Sequence, residues 1–101
     1  MADERPIILE LTGPLERVLG RATVTLDCPQ EQPATRVFRQ LLREYPELEP
    51  YLGRDDGSEC FPWPRGLLLV RDSQMLPPSP ATRVHPGDRL TLVQMISGGA
   101  A

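Results

Sequence analysis

One strongly amphipathic segment, at residues 35–45, limits what this chain can fold into. Its apolar residues recur every three or four positions and so share one face of a helix, while arginine, glutamine and glutamate occupy the other face. Thr35 is placed to cap the start of this helix through its hydroxyl, and Pro46 ends it. The apolar positions are Val37, Phe38, Leu41, Leu42 and Tyr45.

The other patterned segments are typical of strands. Residues 22–28 alternate apolar and polar side chains, and residues 66–71 form the continuous apolar run expected of a strand covered on both faces. A short helical turn at residues 14–20 begins with proline and ends with glycine. The predicted strands are residues 7–11, 22–28, 66–71, 75–76 and 89–96.

This order of elements predicts an α+β domain of the β-grasp type. The first two strands pair antiparallel, and the helix crosses over to the third strand, which lays one main helix on one face of a mixed sheet. A chain of 101 residues fits one domain. We expect residues 1–96 to form it and residues 97–101 to be a flexible tail, because they lack an apolar anchor.

A single helix leaves the second face of the sheet to be covered by something else. In the last strand Leu90, Leu92 and Ile96 share one face, and Val93 and Met95 point to the other. Either the connection at residues 47–65 folds over that second face or a partner protein binds there. The residues of the connection that could fold back are Tyr51, Phe61 and Trp63.

The charge pattern narrows the classes of partner. A net charge of −3 argues against general nucleic-acid binding, which needs a basic surface. The start of the chain is acidic and is followed by no apolar run, and no stretch is long enough to span a membrane, so we expect a cytoplasmic protein. All eleven basic residues are arginine, a bias that codon usage alone explains, so no side chain here can accept an isopeptide bond.

No pattern of residues indicates an enzyme, a metal site or a bound cofactor. His85 is the only histidine and lies in a turn, and Asp55-Asp56-Gly57 lacks the spacing of a calcium loop. Cys28 and Cys60 are expected to be reduced thiols without a neighbouring cation that would activate them. We therefore do not expect an independent enzyme.

The sequence resembles the MoaD/ThiS family of ubiquitin-like sulfur carriers, and within it the MoaD members more closely than the ThiS members. The helix segment is a moderately specific match, whereas the Pro-Gly-Asp turn and the terminal glycine pair, at this distance apart, are the stronger part. The likeness covers residues 7–99, nearly the whole chain. The residues that carry it are 13–21, 34–48, Pro86-Gly87-Asp88-Arg89-Leu90 and Ser97-Gly98-Gly99.

This resemblance implies a mechanism in which the chain is a carrier and supplies no acid or base. An E1-like enzyme adenylates the carboxylate of Gly99, and a sulfur donor protein converts it to a thiocarboxylate. A sulfur-accepting synthase then uses that sulfur on a metabolite such as a molybdopterin precursor, and the carrier could act as its small subunit. The tail residues Ser97 and Gly98 let Gly99 reach the active site of the enzyme. Val93, Met95 and Ile96 would contact partners.

The sequence departs from the family after the glycine pair. Ala100 and Ala101 follow Gly99, so its carboxylate is held in an amide. Either a peptidase such as a zinc metalloprotease removes both alanines, or the chain no longer works through its terminus, or the alanines are not native. Two other functions also stay open: a β-grasp binding module that uses the second sheet face, and a protein modifier conjugated through Gly99.

Overall fold

The computed structural model describes residues 5–53 and 63–94. The strands are β1 (Ile7–Leu11), β2 (Thr23–Leu26), β3 (Gln32–Pro33), β4 (Leu67–Arg71), β5 (Gln74–Met75), β6 (Arg83–Val84) and β7 (Arg89–Gln94). The helices are α1 (Pro14–Leu19), α2 (Ala34–Glu44) and α3 (Glu49–Leu52), and a 3-10 turn spans Pro46–Leu48.

Five strands form one mixed sheet in the order β2-β1-β7-β4-β5. Strands β1 and β7 are parallel, with Leu9 opposite Leu90, and the other pairs are antiparallel. The last strand therefore lies in the middle of the sheet, next to the first one. This topology, with α2 between the hairpin and β4, confirms the predicted α+β β-grasp architecture.

The core lies between α2 and one face of this sheet. Alternate residues of β1 and β7 are buried on that face, as the period of two in a strand requires. Phe38 of α2 is fully buried and meets the Trp63 ring edge to face, with 5.0 Å between ring centroids. The fully buried aliphatic residues include Ile7, Leu9, Val37, Leu41, Leu69, Leu90 and Leu92.

The predicted cap of α2 at Thr35 is wrong. The helix starts at Ala34, Pro33 is its N-cap residue, and no side chain caps it. Pro33 belongs to β3, which pairs with β6 in a separate two-stranded ladder, and the Ala34 amide donates a hydrogen bond to the Thr82 carbonyl. The chain thus passes directly from strand to helix, and a backbone carbonyl of the neighbouring loop accepts from the first amide of the helix.

One expectation about coverage of the sheet also needs correction, and one of two open alternatives loses support. In β4, Leu67 and Leu69 are buried but Leu68 and Val70 are only half-buried, so this strand is not enclosed on both faces. In the connection, Tyr51 and Trp63 pack against the core instead of over the second face. Phe61 lies outside the described residues. The apolar run of β4 therefore reflects one buried face and one partly open face.

Gly87 lies in the tight turn that precedes β7 and has a φ of +82°, a conformation that L side chains rarely adopt. We predict that Gly87→Ala lowers the free energy of unfolding by about 1–2 kcal/mol, the usual penalty for left-handed backbone. A Cβ there would lie 3.0 Å from Cζ of Arg5, but that flexible side chain can move. Urea unfolding measures the change.

Gly20→Ala is the matched control for this prediction. Gly20 also has a positive φ, of +69°, and a Cβ added there would have open space around it, with no atom beyond its chain neighbours within 4 Å. The two variants should therefore lose similar stability. A much larger loss for Gly87→Ala would show that Arg5 is held in place and that the conformational penalty is not the main cause.

Candidate functional site

The end of β7 is the point from which the C-terminal residues continue. Strand β7 pairs with β1 on one side and β4 on the other, and Gln94 stands opposite Leu67 at its last position. Of the predicted site residues, only Val93 is among those described. The predicted tail Ser97-Gly98-Gly99-Ala100-Ala101, and also Met95 and Ile96, lie outside the described residues.

Val93 lies on the sheet face opposite α2, because it follows Leu92, which is buried on the helix side, and successive side chains of a strand alternate. It stands opposite Leu68 of β4, and Thr91 stands opposite Val70, which in turn pairs with Met75 of β5. We call Leu68, Val70, Met75, Thr91 and Val93 the sheet patch. Met75 is 62% exposed and the other four are half-buried.

Sequence reasoning placed Val93 on this face but missed three of its apolar neighbours. The residues that it missed are Leu68, Val70 and Met75. Alternation along β4 was the available signal, and it was hidden because both sets of alternate residues are apolar. Only the register with β7 shows which set joins Val93.

An ion pair lies on the same face, farther back along β7. Arg89 Nε donates a hydrogen bond to Glu10 Oε1 at 2.7 Å, and both side chains are substantially exposed. Such a pair contributes little to stability in water. It gives the face a charged region beside its apolar one, an arrangement that resembles the polar rim and apolar centre of protein interfaces.

The Pro86-Gly87-Asp88 turn has a structural role. One carboxylate oxygen of Asp88, Oδ2, accepts hydrogen bonds from the His85 amide at 2.8 Å and from Arg71 Nη1 at 2.9 Å. The same guanidinium nitrogen donates to the Arg83 carbonyl at 3.2 Å. Asp88 thus ties the start of β7 to the end of β4, which fixes the register of the strand that leads to the tail.

Neither described candidate for catalysis has an activated environment. His85 is half exposed, and its Nδ1 lies 4.0 Å from Glu31 Oε2. Cys28 is buried, and burial raises the pKa of its thiol, with a further increase from the negative charge of Asp88. Among residues 5–53 and 63–94, no cluster of three metal-binding side chains occurs. Within that part of the chain, no helix is long and apolar enough to cross a membrane.

Cys28 should therefore react slowly with alkylating reagents in the folded protein. The thiolate is the reactive species, and a raised pKa reduces its fraction at every pH below that value. In a Cys60→Ser background, we expect iodoacetamide to label Cys28 at least about 100-fold more slowly than in urea, because labelling requires opening of the core. Equal rates in both conditions would contradict this burial.

Comparison with known proteins gives matches to solved structures only. No protein-family model matches the sequence, and a search of the curated proteins finds no match. A crystal structure of small archaeal modifier protein 1 from Haloferax volcanii is 26% identical, covers 93% of this chain and 99% of its own, and has a TM-score of 0.70.

Two solution structures show the same fold at lower identity. That of small archaeal modifier protein 1 from Methanosarcina acetivorans is 17% identical, with a TM-score of 0.72 over 95% of this chain and 98% of its own. That of the Haloferax volcanii protein HVO 2177 is also 17% identical, with a TM-score of 0.74 over 96% of this chain and 89% of its own. The expectation that this chain is not an enzyme agrees with neighbours named as modifiers. This chain has the ubiquitin-like β-grasp fold.

Proposed function

We propose that this chain is a ubiquitin-like sulfur carrier that is made as a precursor and trimmed to Gly99. An E1-like enzyme adenylates the freed carboxylate, a sulfur donor protein converts it to a thiocarboxylate, and a synthase uses the sulfur in cofactor or metabolite biosynthesis, such as that of molybdopterin. The carrier works in the cytoplasm and needs no cofactor of its own. The single observation that carries this proposal is a ubiquitin-like fold whose central strand β7 leads, within five residues, to Gly98-Gly99.

The chemistry requires a free α-carboxylate at Gly99. Its oxygen attacks the α-phosphorus of ATP and pyrophosphate leaves, which gives an acyl adenylate. A persulfide sulfur then attacks the carbonyl carbon and AMP leaves, and reductive cleavage of the sulfur–sulfur bond by a thiol leaves the thiocarboxylate. Two glycines suit entry of the tail into the active site of the enzyme, because they lack Cβ atoms and adopt backbone angles closed to other residues.

Contacts between the folded domain and the enzyme would offset the conformational entropy that this tail loses when it becomes ordered in the active site. The sheet patch supports this role, because it places apolar side chains around Val93, next to the last residue of β7 and on the face that α2 does not cover. Fully burying a valine side chain contributes on the order of 1.5 kcal/mol, and because Val93 is already half-buried, covering the rest of it contributes about half of that. Met95, predicted to contact partners, continues in the sequence the alternation that places Val93 on this face, whereas Ile96, also predicted to contact partners, falls on the other face by the same alternation.

We predict that Val93→Asp raises the KM of the activating enzyme for the trimmed carrier by about tenfold or more, because a carboxylate would lose its hydration at an apolar contact. A tenfold change corresponds to about 1.4 kcal/mol of binding free energy. Thr25→Asp is the control: this exposed residue lies on edge strand β2, at the edge of the sheet away from β4 and β5. Steady-state kinetics should leave the control within about twofold. Equal KM values for both variants would argue against docking through the sheet patch.

Trimming is tested by comparing two chains, one of residues 1–101 and one that ends at Gly99. With the activating enzyme of the same organism, only the shorter chain should support ATP–pyrophosphate exchange. Incubation of the longer chain in host lysate should remove both alanines, as seen by intact mass. An unchanged mass together with exchange by neither chain would overturn the proposal.

A second candidate function is protein modification through Gly99. It is favoured by structural neighbours that are named small archaeal modifier protein 1 in two organisms, one of them 26% identical. An epitope-tagged chain would then give a ladder of larger species in host cells, and deletion of Gly98-Gly99 would abolish it. If the chain were only a β-grasp binding module, Gly99→Ala would preserve function and Val93→Asp would abolish it.

A further inference from the structure

We infer that a second copy of this chain binds along the outer edge of β2, so that two sheets join through antiparallel pairing of their β2 strands. Strand β2 is an edge strand, and among residues 5–53 and 63–94 it pairs with β1 alone. The outer edge of such a strand presents backbone groups that another strand can bind. This inference does not depend on the proposed function.

The hydrogen bonds to β1 show which backbone groups of β2 point outward. The Leu11 amide donates to the Ala22 carbonyl at 2.7 Å, and the β1–β2 register places these two residues opposite each other. Hydrogen-bonded and non-hydrogen-bonded pairs alternate in an antiparallel ladder, so the amide and carbonyl of Val24 also face β1. Those of Thr23 and Thr25 therefore face the outer edge, and both residues are exposed.

The residues of β2 present no barrier to a second strand. Thr23–Leu26 contains none of the prolines and charged side chains that commonly protect an edge strand. Threonine and valine are also favourable strand residues. Because the strand has only four residues, we expect the association to be weak and reversible.

The charges that flank β2 favour a second copy as the partner. In antiparallel pairing around a two-fold axis at Val24, Thr23 of each copy lies opposite Thr25 of the other, and their outward amides and carbonyls bond to each other. The same register places Arg21 of each copy opposite Asp27 of the other, and both residues are exposed. Cross-strand threonine pairs and opposite charges stabilise antiparallel strands. The segment is therefore complementary to itself.

A contact from α2 limits the register further. Gln40 Nε2 donates a hydrogen bond to the Asp27 carbonyl at 2.9 Å, so this carbonyl already has a donor and the ladder between copies ends at Thr25. Strand β1 separates β2 from β7, and the strands of the sheet patch take no part in the pairing. Each copy can thus still dock on the activating enzyme, and a change in β2 leaves the KM comparison above unaffected.

Exchange of the flanking charges tests both the surface and the register. Arg21→Glu alone and Asp27→Arg alone each place like charges opposite each other in both charge pairs of a homodimer. Each variant should weaken self-association by about tenfold or more, because like charges directly opposite are destabilising. An equimolar mixture of the two variants restores opposite charges in both pairs, and it should associate within about threefold of the native chain.

Sedimentation velocity of the full chain at rising protein concentration measures the association, at low ionic strength and with a thiol reductant. Arg65→Glu is the matched control, because this exposed residue precedes β4 and its replacement changes the net charge as Arg21→Glu does. It should stay within about twofold of the native chain. Circular dichroism should show that every variant is folded.

Three results would overturn the inference. The first is a native chain that stays monomeric at every concentration. The second is a mixture of Arg21→Glu and Asp27→Arg that associates no more strongly than either variant alone. The third is a loss of association in Arg65→Glu as large as that in Arg21→Glu, which would show that net charge and not the β2 edge controls the association.

Discussion

Replacing Gly98 and Gly99 with valine in the chain that ends at residue 99 should lower kcat/KM for adenylation by on the order of 100-fold or more, equivalent to about 2.7 kcal/mol. The physical reason is access. A valine side chain adds bulk and excludes the positive-φ backbone angles that glycine allows, so the tail no longer fits a narrow channel. ATP–pyrophosphate exchange at varied carrier concentration measures the effect.

The control for this prediction is Ser97→Ala, which removes a hydroxyl but leaves both glycines. It should retain activity within a fewfold, and all the variants should unfold at the same urea concentration, because the predicted tail contributes no core residue. Full activity of the double valine variant would show that the glycine pair is incidental, and the carrier function would then lose its main support.

Phe38→Ala should lower the free energy of unfolding by about 3–5 kcal/mol, the usual result of truncating a buried phenylalanine. Phe38 has no exposed surface, and its ring meets Trp63 at an interplanar angle of 76°. Small domains have only about 5–15 kcal/mol of stability in total, so a large fraction of molecules would unfold under mild conditions. Urea titration followed by Trp63 fluorescence measures the change.

Phe38→Leu is the matched comparison, because it keeps most of the apolar volume and should lose less than half as much stability. The order of stabilities should be native, leucine variant, alanine variant. An alanine variant within about 1 kcal/mol of the native protein would mean that α2 does not pack on the sheet through this residue.

The sequence predicted the main architecture because its strongest signals are periodic. The apolar face of α2 and the alternation in β2 each identify an element type and the face that it buries. The two-residue strands β3 and β6 could not be found in this way, because two residues have no period. The cap of α2 was placed at Thr35 because the role of Pro33 depends on the pairing of β3 with β6, which exists only in the folded chain.

The candidate site was predictable only in part. The alternation of β7 alone places Val93 on the open face. Leu68 and Met75 can be assigned to the same face only from the register of β4 with β7 and β5. Register is determined by the burial of one whole face and by turn geometry, which are properties of the assembled sheet. The importance of Asp88 was visible as a turn motif, but its bond to Arg71 joins residues 17 positions apart.

The central claim is that Gly99, once freed, carries sulfur. Its most direct test is the intact mass of the chain of residues 1–99 after incubation with the activating enzyme, ATP and a persulfide donor. We predict a mass increase equal to the exchange of one oxygen for one sulfur. In a Cys60→Ser background, brief treatment with an alkylating reagent should then give a single adduct at the C-terminus, because Cys28 is buried. A mass that stays unchanged with an enzyme that is active on its other carriers would contradict this claim.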